Sequence, residues 1–458
     1  MNSSHIAILG GGPAGLATGY YARKHDIPFT IFEASDHAGG NCVTFTHGDF
    51  RFDSGAHRFH DKIPEVTAEM RVLLGDDFQK IDAPSSIYFK GRFIDFPLSP
   101  LNLLRKLGIP AFCKAGIELL TARLSRTGKN GSFQNFAVHT YGRSIAEFFL
   151  LGYSEKLWGL PSAMLSPKIA GSRMKGLDLK AFIIEALHGQ KTKTEHLDGA
   201  FYYPSLGIGT ISERLAEVCG EENLRINAKI TGVIHDGKRI CAIEVNGSEQ
   251  FATEFVVSTL PLDRFLNMIR PLPDDETLSL STSLRYRSIL LVALFLDKGK
   301  VTGNASIYFP DREIPFTRVH EPRNRSLKMS PPGRTSLIVE IPCQQNDGTW
   351  EMSDEQLVFL VKSKLVQAGL IKEQEIIGSA TRRMPYAYPV LERDFEERIR
   401  TVNRFLNKFE NLRFSGRNGR YVYGHVHDMM QMGRDIVEEY HQASTLSGHF
   451  PAKGSVQV

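Results

Sequence analysis

Cysteine is scarce and scattered. Cys42, Cys113, Cys219, Cys241 and Cys343 are the five in 458 residues, and no two stand as a C-x-x-C pair. An odd, dispersed set argues against a disulfide framework or a thiolate zinc site and fits a reducing, cytoplasmic compartment. Long apolar runs are missing too. The longest candidate, Ile109 to Leu120, is interrupted by Lys114 and Glu118, so no transmembrane segment is expected. The first apolar run, Ile6 to Leu9, leads straight into glycines and reads as a strand rather than a signal peptide. Charge of one sign is lacking as well. The chain has 55 basic and 51 acidic residues, a net of +4, too balanced for a nucleic-acid partner, although a local arginine cluster could bind phosphates. No internal repeat, low-complexity tract or serine nucleophile elbow is present.

What is present is a βαβ opening: a strand (His5 to Leu9), a glycine turn, a helix (Pro13 to His25) and a second strand (Pro28 to Glu33). Helical periodicity dominates from Pro100 to Leu187. Between Leu224 and Leu260 short alternating strands take over, punctuated by Asp236-Gly237 and Asn246-Gly247 as hairpin turns. Strands are expected at Ser288 to Leu296 and Ser336 to Ile341, helices at Asp354 to Gln367 and Asp394 to Phe405. A last strand, glycine turn and helix close the chain at Leu412 to Tyr440. Nucleotide-binding elements therefore sit at both ends. The expected fold is α/β, a Rossmann-like domain made of 1–60, 205–265 and 400–445. A mainly helical segment, 61–204, and a sheet-rich segment, 266–399, form an inserted mixed α+β substrate domain with helices and an antiparallel sheet.

Gly10-Gly11-Gly12-Pro13-Ala14-Gly15 supplies G-x-G-x-x-G between strand and helix. Gly10 permits the turn, Gly12 lets backbone approach a pyrophosphate, and Gly15 lets helix and strand pack closely. Pro13 and Ala14 open the helix, whose free N–H groups and positive dipole end face the phosphates. Glu33, ending the second strand, is placed to accept from ribose hydroxyls and would repel a 2′-phosphate. Metal-like histidine spacing occurs only at His57-x-x-His60 and His425-x-His427. Both lie beside dinucleotide-motif segments, so no metal is expected.

Asp36 to Thr44 carries a second glycine pair, Gly39-Gly40. It resembles the segment after the second strand in FAD oxidoreductases of the amine oxidase class, which favours FAD over NAD. Val256 to Pro261 resembles that class's inner strand, and Gly416-Arg417-Asn418-Gly419 with Asp428 resembles its closing flavin motif. Within the amine oxidase and protoporphyrinogen oxidase superfamily the resemblance is closest to the UDP-galactopyranose mutase branch. Asn41 after the glycine pair is typical of mutases. Phe52-Asp53-Ser54-Gly55-Ala56-His57 looks like the loop that lays a histidine against the isoalloxazine, which implies roles for Gly55 and His57. Tyr153 to Pro161 is similar to the mutase Y-x-x-K-x-W segment, with Arg173 following. Tyr308-Phe309-Pro310 and Pro315-Phe316-Thr317-Arg318 look like the motif giving a tyrosine and an arginine to a diphosphate. Arg417 and Tyr423 fall at matching positions after the last strand, and Tyr386 and Tyr388 resemble a tyrosine-rich strand beside the site.

The resemblance implies a redox-neutral mutase. Flavin, reduced by a donor such as NAD(P)H, would act as nucleophile on a nucleotide-linked sugar whose ring recloses at a different size. Arg173 and Arg318 would stabilise the departing diphosphate with Tyr308 and Tyr423, and His57 would set the flavin's environment. Two departures oppose galactose. Phe96-Pro97-Leu98-Ser99 replaces a Tyr-Pro-Phe-Gln stretch, and Ser306 replaces a tryptophan. The alternative is an FAD oxidoreductase removing a hydride from a C–N or C–C bond. The lysine that amine oxidases place near the flavin is absent from Tyr286 to Leu296, which counts against it. A flavin binder without catalysis leaves the Arg–Tyr motifs unexplained. A small-molecule substrate follows from either enzyme reading, and a homodimer stays open.

Overall fold

Strand Ile6–Leu9 is buried throughout and lies at the centre of a five-stranded parallel sheet. Across that sheet the strands run Leu412–Phe414, Phe255–Ser258, Ile6–Leu9, Phe29–Phe32, Leu224–Arg225. Both ends of the sequence and a central segment therefore build one nucleotide-binding layer. The computed structural model describes residues 5–96, 100–124, 131–174 and 200–446. Helix Pro13–Lys24 lies between the sheet and helix Val426–Leu446. Two glycines allow this. A Cβ at Gly19 would meet Ile31 at 2.8 Å, and one at Gly433 would meet the Thr18 backbone nitrogen at 2.8 Å.

A second, larger sheet is mainly antiparallel. Its seven strands run Ile376–Pro389, Tyr286–Leu296, Thr335–Cys343, Arg318–His320, Ser306–Tyr308, Ser85–Phe89, Arg92–Phe96. Every pairing is antiparallel except Ser306–Tyr308 with Ser85–Phe89. Tyr286–Leu296 is apolar without alternation from Ile289 onward because both its faces are buried. Leu290, Val292 and Leu294 pack toward helix Asp354–Gln367 through Leu357, Val361 and Leu365. Ile289, Leu291, Ala293 and Phe295 pack on Phe50 and Phe52. A separate four-stranded sheet (Glu249–Ala252, Ile240–Val245, Ile230–His235, Ile269–Arg270) shares a core with the dinucleotide sheet, Val233, Ile243 and Val245 clustering with Ala7, Leu9 and Val256.

The segment 61–204 contributes more than the expected helices. Phe78–Asp82 pairs with Ala200–Pro204, and Ser85–Phe89 and Arg92–Phe96 form a hairpin at the end of the seven-stranded sheet. The turn Lys90-Gly91 has φ of 48° and 76°, the primed-turn geometry usually announced by Asn-Gly. The turn from Gly237 joins antiparallel strands as anticipated, as does that at Asn246-Gly247.

Candidate active site

The glycine turn has the geometry of a phosphate cradle. Gly10 has φ +103°, and a Cβ there would meet Thr259 Oγ1 at 2.3 Å. A Cβ at Gly15 would lie 1.9 Å from Gly10 O, so Gly15 is fixed by strand–helix packing. Gly12 differs. Its Cβ would meet only Gly40 Cα, at 3.8 Å, so nothing in the chain demands glycine there and the space in front of the helix stays open. Pro13 and Ala14 form the first turn of that helix, and Glu33 Oε2 accepts from Gly11 N at 2.7 Å. Gly39 and Gly40 both have positive φ and face this turn, Gly39 N donating to Gly11 O at 2.9 Å. Gly416 completes the wall, since its Cβ would touch Ala14 Cβ at 3.0 Å.

Loop Asp53–His57 rests on buried charges. Ala56 N donates to Glu340 Oε1 at 2.6 Å. Arg318 Nε and Nη2 donate to Glu340 Oε2 at 3.0 and 2.6 Å. Arg325 Nη1 donates to His57 O at 3.2 Å and lies 3.9 Å from Asp53 Oδ2, which also accepts from Tyr203. All of these polar side chains are buried. Burial, then the charges of Arg417, Arg318 and Arg325, push His57 down to about 3. The imidazole facing the site is therefore neutral at physiological pH. Burial alone would lower Arg318, but Glu340 beside it holds the guanidinium charged.

A cavity of about 270 Å³ opens above this loop. Asn41, Gly55, His57, Tyr308, Arg318, Arg417 and Tyr423 all line it, so seven residues singled out in the sequence converge. Trp158, Tyr388 and Tyr423 form a triangle with ring centroids 5.8 to 5.9 Å apart, and Arg417 lies over Tyr388 at 5.0 Å. Tyr153 and Tyr308 meet edge to face at 5.9 Å. Lys156, from the same helix as Trp158, stays outside this wall. Its Nζ donates to the carbonyls of Phe309, Asp311, Ile314 and Phe316 and so ties down the loop between Tyr308 and Arg318.

Three expected residues stand differently. Arg173 lies in the helix Pro167–Met174, and its side chain, like Pro97-Leu98-Ser99, lies outside the described residues. Asp428 sits in the first turn of Val426–Leu446, where Oδ2 accepts from His425 N at 2.7 Å. Arg318 has a carboxylate partner, which its sequence motif did not announce. Glu340, Arg325 and the Asp53–Tyr203 pair escaped the sequence reading. The available signal was a glutamate inside the apolar run Leu337-Ile338-Val339-Glu340-Ile341.

The dinucleotide side also offers polar atoms awaiting partners. Ser415 Oγ, Asn418 Oδ1 and His427 Nδ1 are buried with no hydrogen bond among the described residues. All three belong to the closing segment packed against the helix N-terminus. Open space at Gly12 and these orphaned atoms fit FAD, and Glu33 follows the second strand beside the turn, its oxygens accepting from Gly11 N, Ser35 N and Ser35 Oγ. Among the described residues no group of three or more His, Cys, Asp or Glu could hold a metal ion, and no helix is long and apolar enough to cross a membrane.

Two imidazoles, His57 on the cavity wall and the buried His320, make stability acid-sensitive. His57 and His320 both hold pKa values below the ordinary 6.5, because burial disfavours their charged forms. The unfolded chain takes up their protons below that value while the folded chain does not. Their contribution is thus present above about pH 6.5 and is lost as pH falls toward 3, at up to about 1.4 kcal/mol per pH unit for each. Asp53, raised by burial, offsets part of this at the acid end. Urea midpoints at pH 7, 6 and 5 should fall steadily, and His320→Leu should flatten the slope. An unchanged slope in that variant would remove His320 from the account.

Fold and glycine cradle together define a dinucleotide-binding protein of the flavin type, with a cavity beside the loop that ends at His57. Residues 13–418 match the family described as flavin containing amine oxidoreductase, and the chain belongs to that family, which implies FAD as cofactor. Among curated proteins it is 23% identical to protoporphyrinogen oxidase 1, chloroplastic, of Arabidopsis thaliana, covering 96% of this chain and 87% of that protein. It is 19% identical to coproporphyrinogen III oxidase of Bacillus subtilis, covering 82% of this chain and 86% of that one. Among solved structures, reduced UDP-galactopyranose mutase superposes with a TM-score of 0.84 at 19% identity, covering 97% of this chain and 95% of that one. A putative protoporphyrinogen oxidase from Exiguobacterium sp. 255-15 gives 0.76 at 18% identity, covering 96% and 99%. At such identities these structural matches establish the shared fold.

Proposed function

We propose that the protein is an FAD-dependent enzyme acting on an anionic small molecule, with a nucleotide-linked sugar as the substrate class and a mutase-type isomerisation as the reaction. The observation that carries this is the sign of the cavity wall. Arg58, Arg318 and Arg417 line it with Tyr153, Tyr308, Tyr388 and Tyr423, and no Asp, Glu or Lys is among the described lining residues. Glu340 balances Arg318 from behind, but none of the ion pairs among the described residues involves Arg417. A cationic amine would enter a positive wall, whereas a diphosphate carries about two negative charges that guanidinium and tyrosine donors match. Arg318 and Arg417 would bind and orient the diphosphate and stabilise charge as it departs. Tyr308 and Tyr423 would complete its hydrogen bonds, and the Trp158–Tyr388–Tyr423 triangle offers a stacking surface. Neutral His57 would pack beside the flavin without adding charge. Bound flavin would supply the reactive centre, reduced by a nicotinamide donor.

A second reading, an oxidoreductase acting on porphyrinogens, is favoured by the sequence similarity to two enzymes of that name. Porphyrinogens carry carboxylates and would meet the same positive wall. Titrating the dithionite-reduced holoprotein with UDP and other nucleoside diphosphates, followed by flavin fluorescence, separates the two. The mutase reading expects micromolar binding that favours the reduced form. Arg417→Met should weaken it roughly tenfold or more with FAD still bound, as for a lost charge-assisted hydrogen bond of about 1.5–3 kcal/mol. No binding in either redox state would turn the assignment to the oxidoreductase.

A further inference from the structure

The strand Ile376–Pro389 breaks its register beside the cavity. Arg287 stands opposite Tyr388 and Ile289 opposite Met384, so the tyrosine-rich strand carries two extra residues at this point. Tyr386, within the insertion, has φ +51°, a conformation that costs a bulky residue about 1–3 kcal/mol. Three hydrogen bonds hold it. Asn41 Nδ2 donates to the carbonyls of Pro385 and Tyr386, at 3.2 Å each. Asn418 Nδ2 donates to the Tyr386 carbonyl at 2.8 Å. One asparagine comes from the segment after the second strand and the other from the closing motif, so both dinucleotide segments meet on one strained peptide.

The break changes what faces the substrate. In an unbroken strand alternate residues share a face, and Met384, Tyr386 and Tyr388 would point together. Here Met384, Ala387 and Tyr388 line the cavity and Tyr386 does not. The Tyr386 ring is turned away from the cavity, its hydroxyl 3.3 Å from Asp263 Oδ2, its face under Arg264 at 4.4 Å and its centroid 5.0 Å from that of Tyr286. A methyl group stands where a phenol would otherwise fall, and Tyr388 is free to carry Arg417.

We infer that Asn418, assisted by Asn41, is a positioning residue that fixes the shape of the substrate cavity by locking the Tyr386 peptide in its left-handed conformation. Without that lock the strand relaxes toward regular alternation, Tyr386 swings into the cavity, and access to the flavin closes. The inference needs only the flavin that family membership implies and stands apart from the nucleotide-sugar reading.

The test is iodide quenching of flavin fluorescence in the holoprotein, with FAD content measured in the same samples. Asn418→Asp keeps the volume and Oδ1 and removes only the amide donor. Its quenching constant, normalised to the FAD each sample holds, should fall several-fold. The double variant Asn418→Asp/Tyr386→Ala should return to the wild-type value, because no ring is left to block the cavity. Alanine still disfavours positive φ, so recovery cannot come from relieved backbone strain. Loss of FAD in the single variant that Tyr386→Ala does not restore would also overturn the inference. Wild-type quenching in the single variant, or no recovery in the double, overturns the inference. Failure of nucleoside diphosphates to bind the wild type would instead count against the mutase reading alone.

Discussion

Glu340→Ala should cost about 3–5 kcal/mol of folding stability, the usual penalty for leaving a buried charge without its partner. Arg318 is buried, and its Nε and Nη2 both donate to one Glu340 oxygen. Removing the carboxylate strands the guanidinium and also deprives Ala56 N of its acceptor. The loss should appear as a lower urea midpoint. It should reach the cofactor too, because the freed peptide belongs to the loop that ends at His57. Arg318→Met should be comparably harmful, and the double variant Arg318→Met/Glu340→Leu should be less destabilised than the sum of the singles. Additive losses would mean that the two side chains act separately and that Arg318 is held by something else. The same cycle bears on function. If the double variant folds and keeps FAD but no longer distinguishes UDP from buffer, Arg318 serves the ligand as well as the loop.

The dinucleotide half of this architecture was legible because each of its features has a local cause. Gly10 and Gly15 are dictated by a turn and by a close backbone approach, and both leave a motif that can be read. The strand expected at Ser288 to Leu296, apolar from Ile289 onward, and the capped helix Asp354–Gln367 were equally plain. The substrate half was less so. Ser306–Tyr308 and Arg318–His320 are three residues long, too short for periodicity to register. Ile376–Pro389 mixes apolar, charged and tyrosine residues and is broken by a register shift, so although its tyrosines were placed beside the site, only the fold shows that Tyr388 lines the cavity and Tyr386 does not. Arg318 and six other residues named from sequence line one cavity. The Arg318 partner Glu340 comes from another strand, joined by pairing rather than by spacing. Buried charge pairs between strands have no sequence period, and that is where the reading stopped.

Gly12 and Gly15 stand three residues apart in one motif, yet their alanine variants should fail in opposite ways. At Gly15 an added methyl would sit 1.9 Å from Gly10 O. Backbone faces it, so nothing flexible can yield, and Gly15→Ala should misfold or express insolubly whether or not FAD is supplied. At Gly12 the backbone is φ −74°, ψ −178°, which any residue adopts, and the nearest atom to a new Cβ is Gly40 Cα at 3.8 Å. The apoprotein of Gly12→Ala should therefore unfold within about 0.5 kcal/mol of wild type. The methyl does project into the space where a pyrophosphate would approach the helix N-terminus. Overpacking of about 1–3 kcal/mol there corresponds to roughly a ten- to hundredfold loss of FAD affinity, measurable by reconstituting the apoprotein and following flavin absorbance. If Gly12→Ala bound FAD as wild type does, the phosphates could not lie against this turn. If it unfolded like Gly15→Ala, the open space at Gly12 would have to be filled by the chain itself, and the glycine motif would be explained by packing alone.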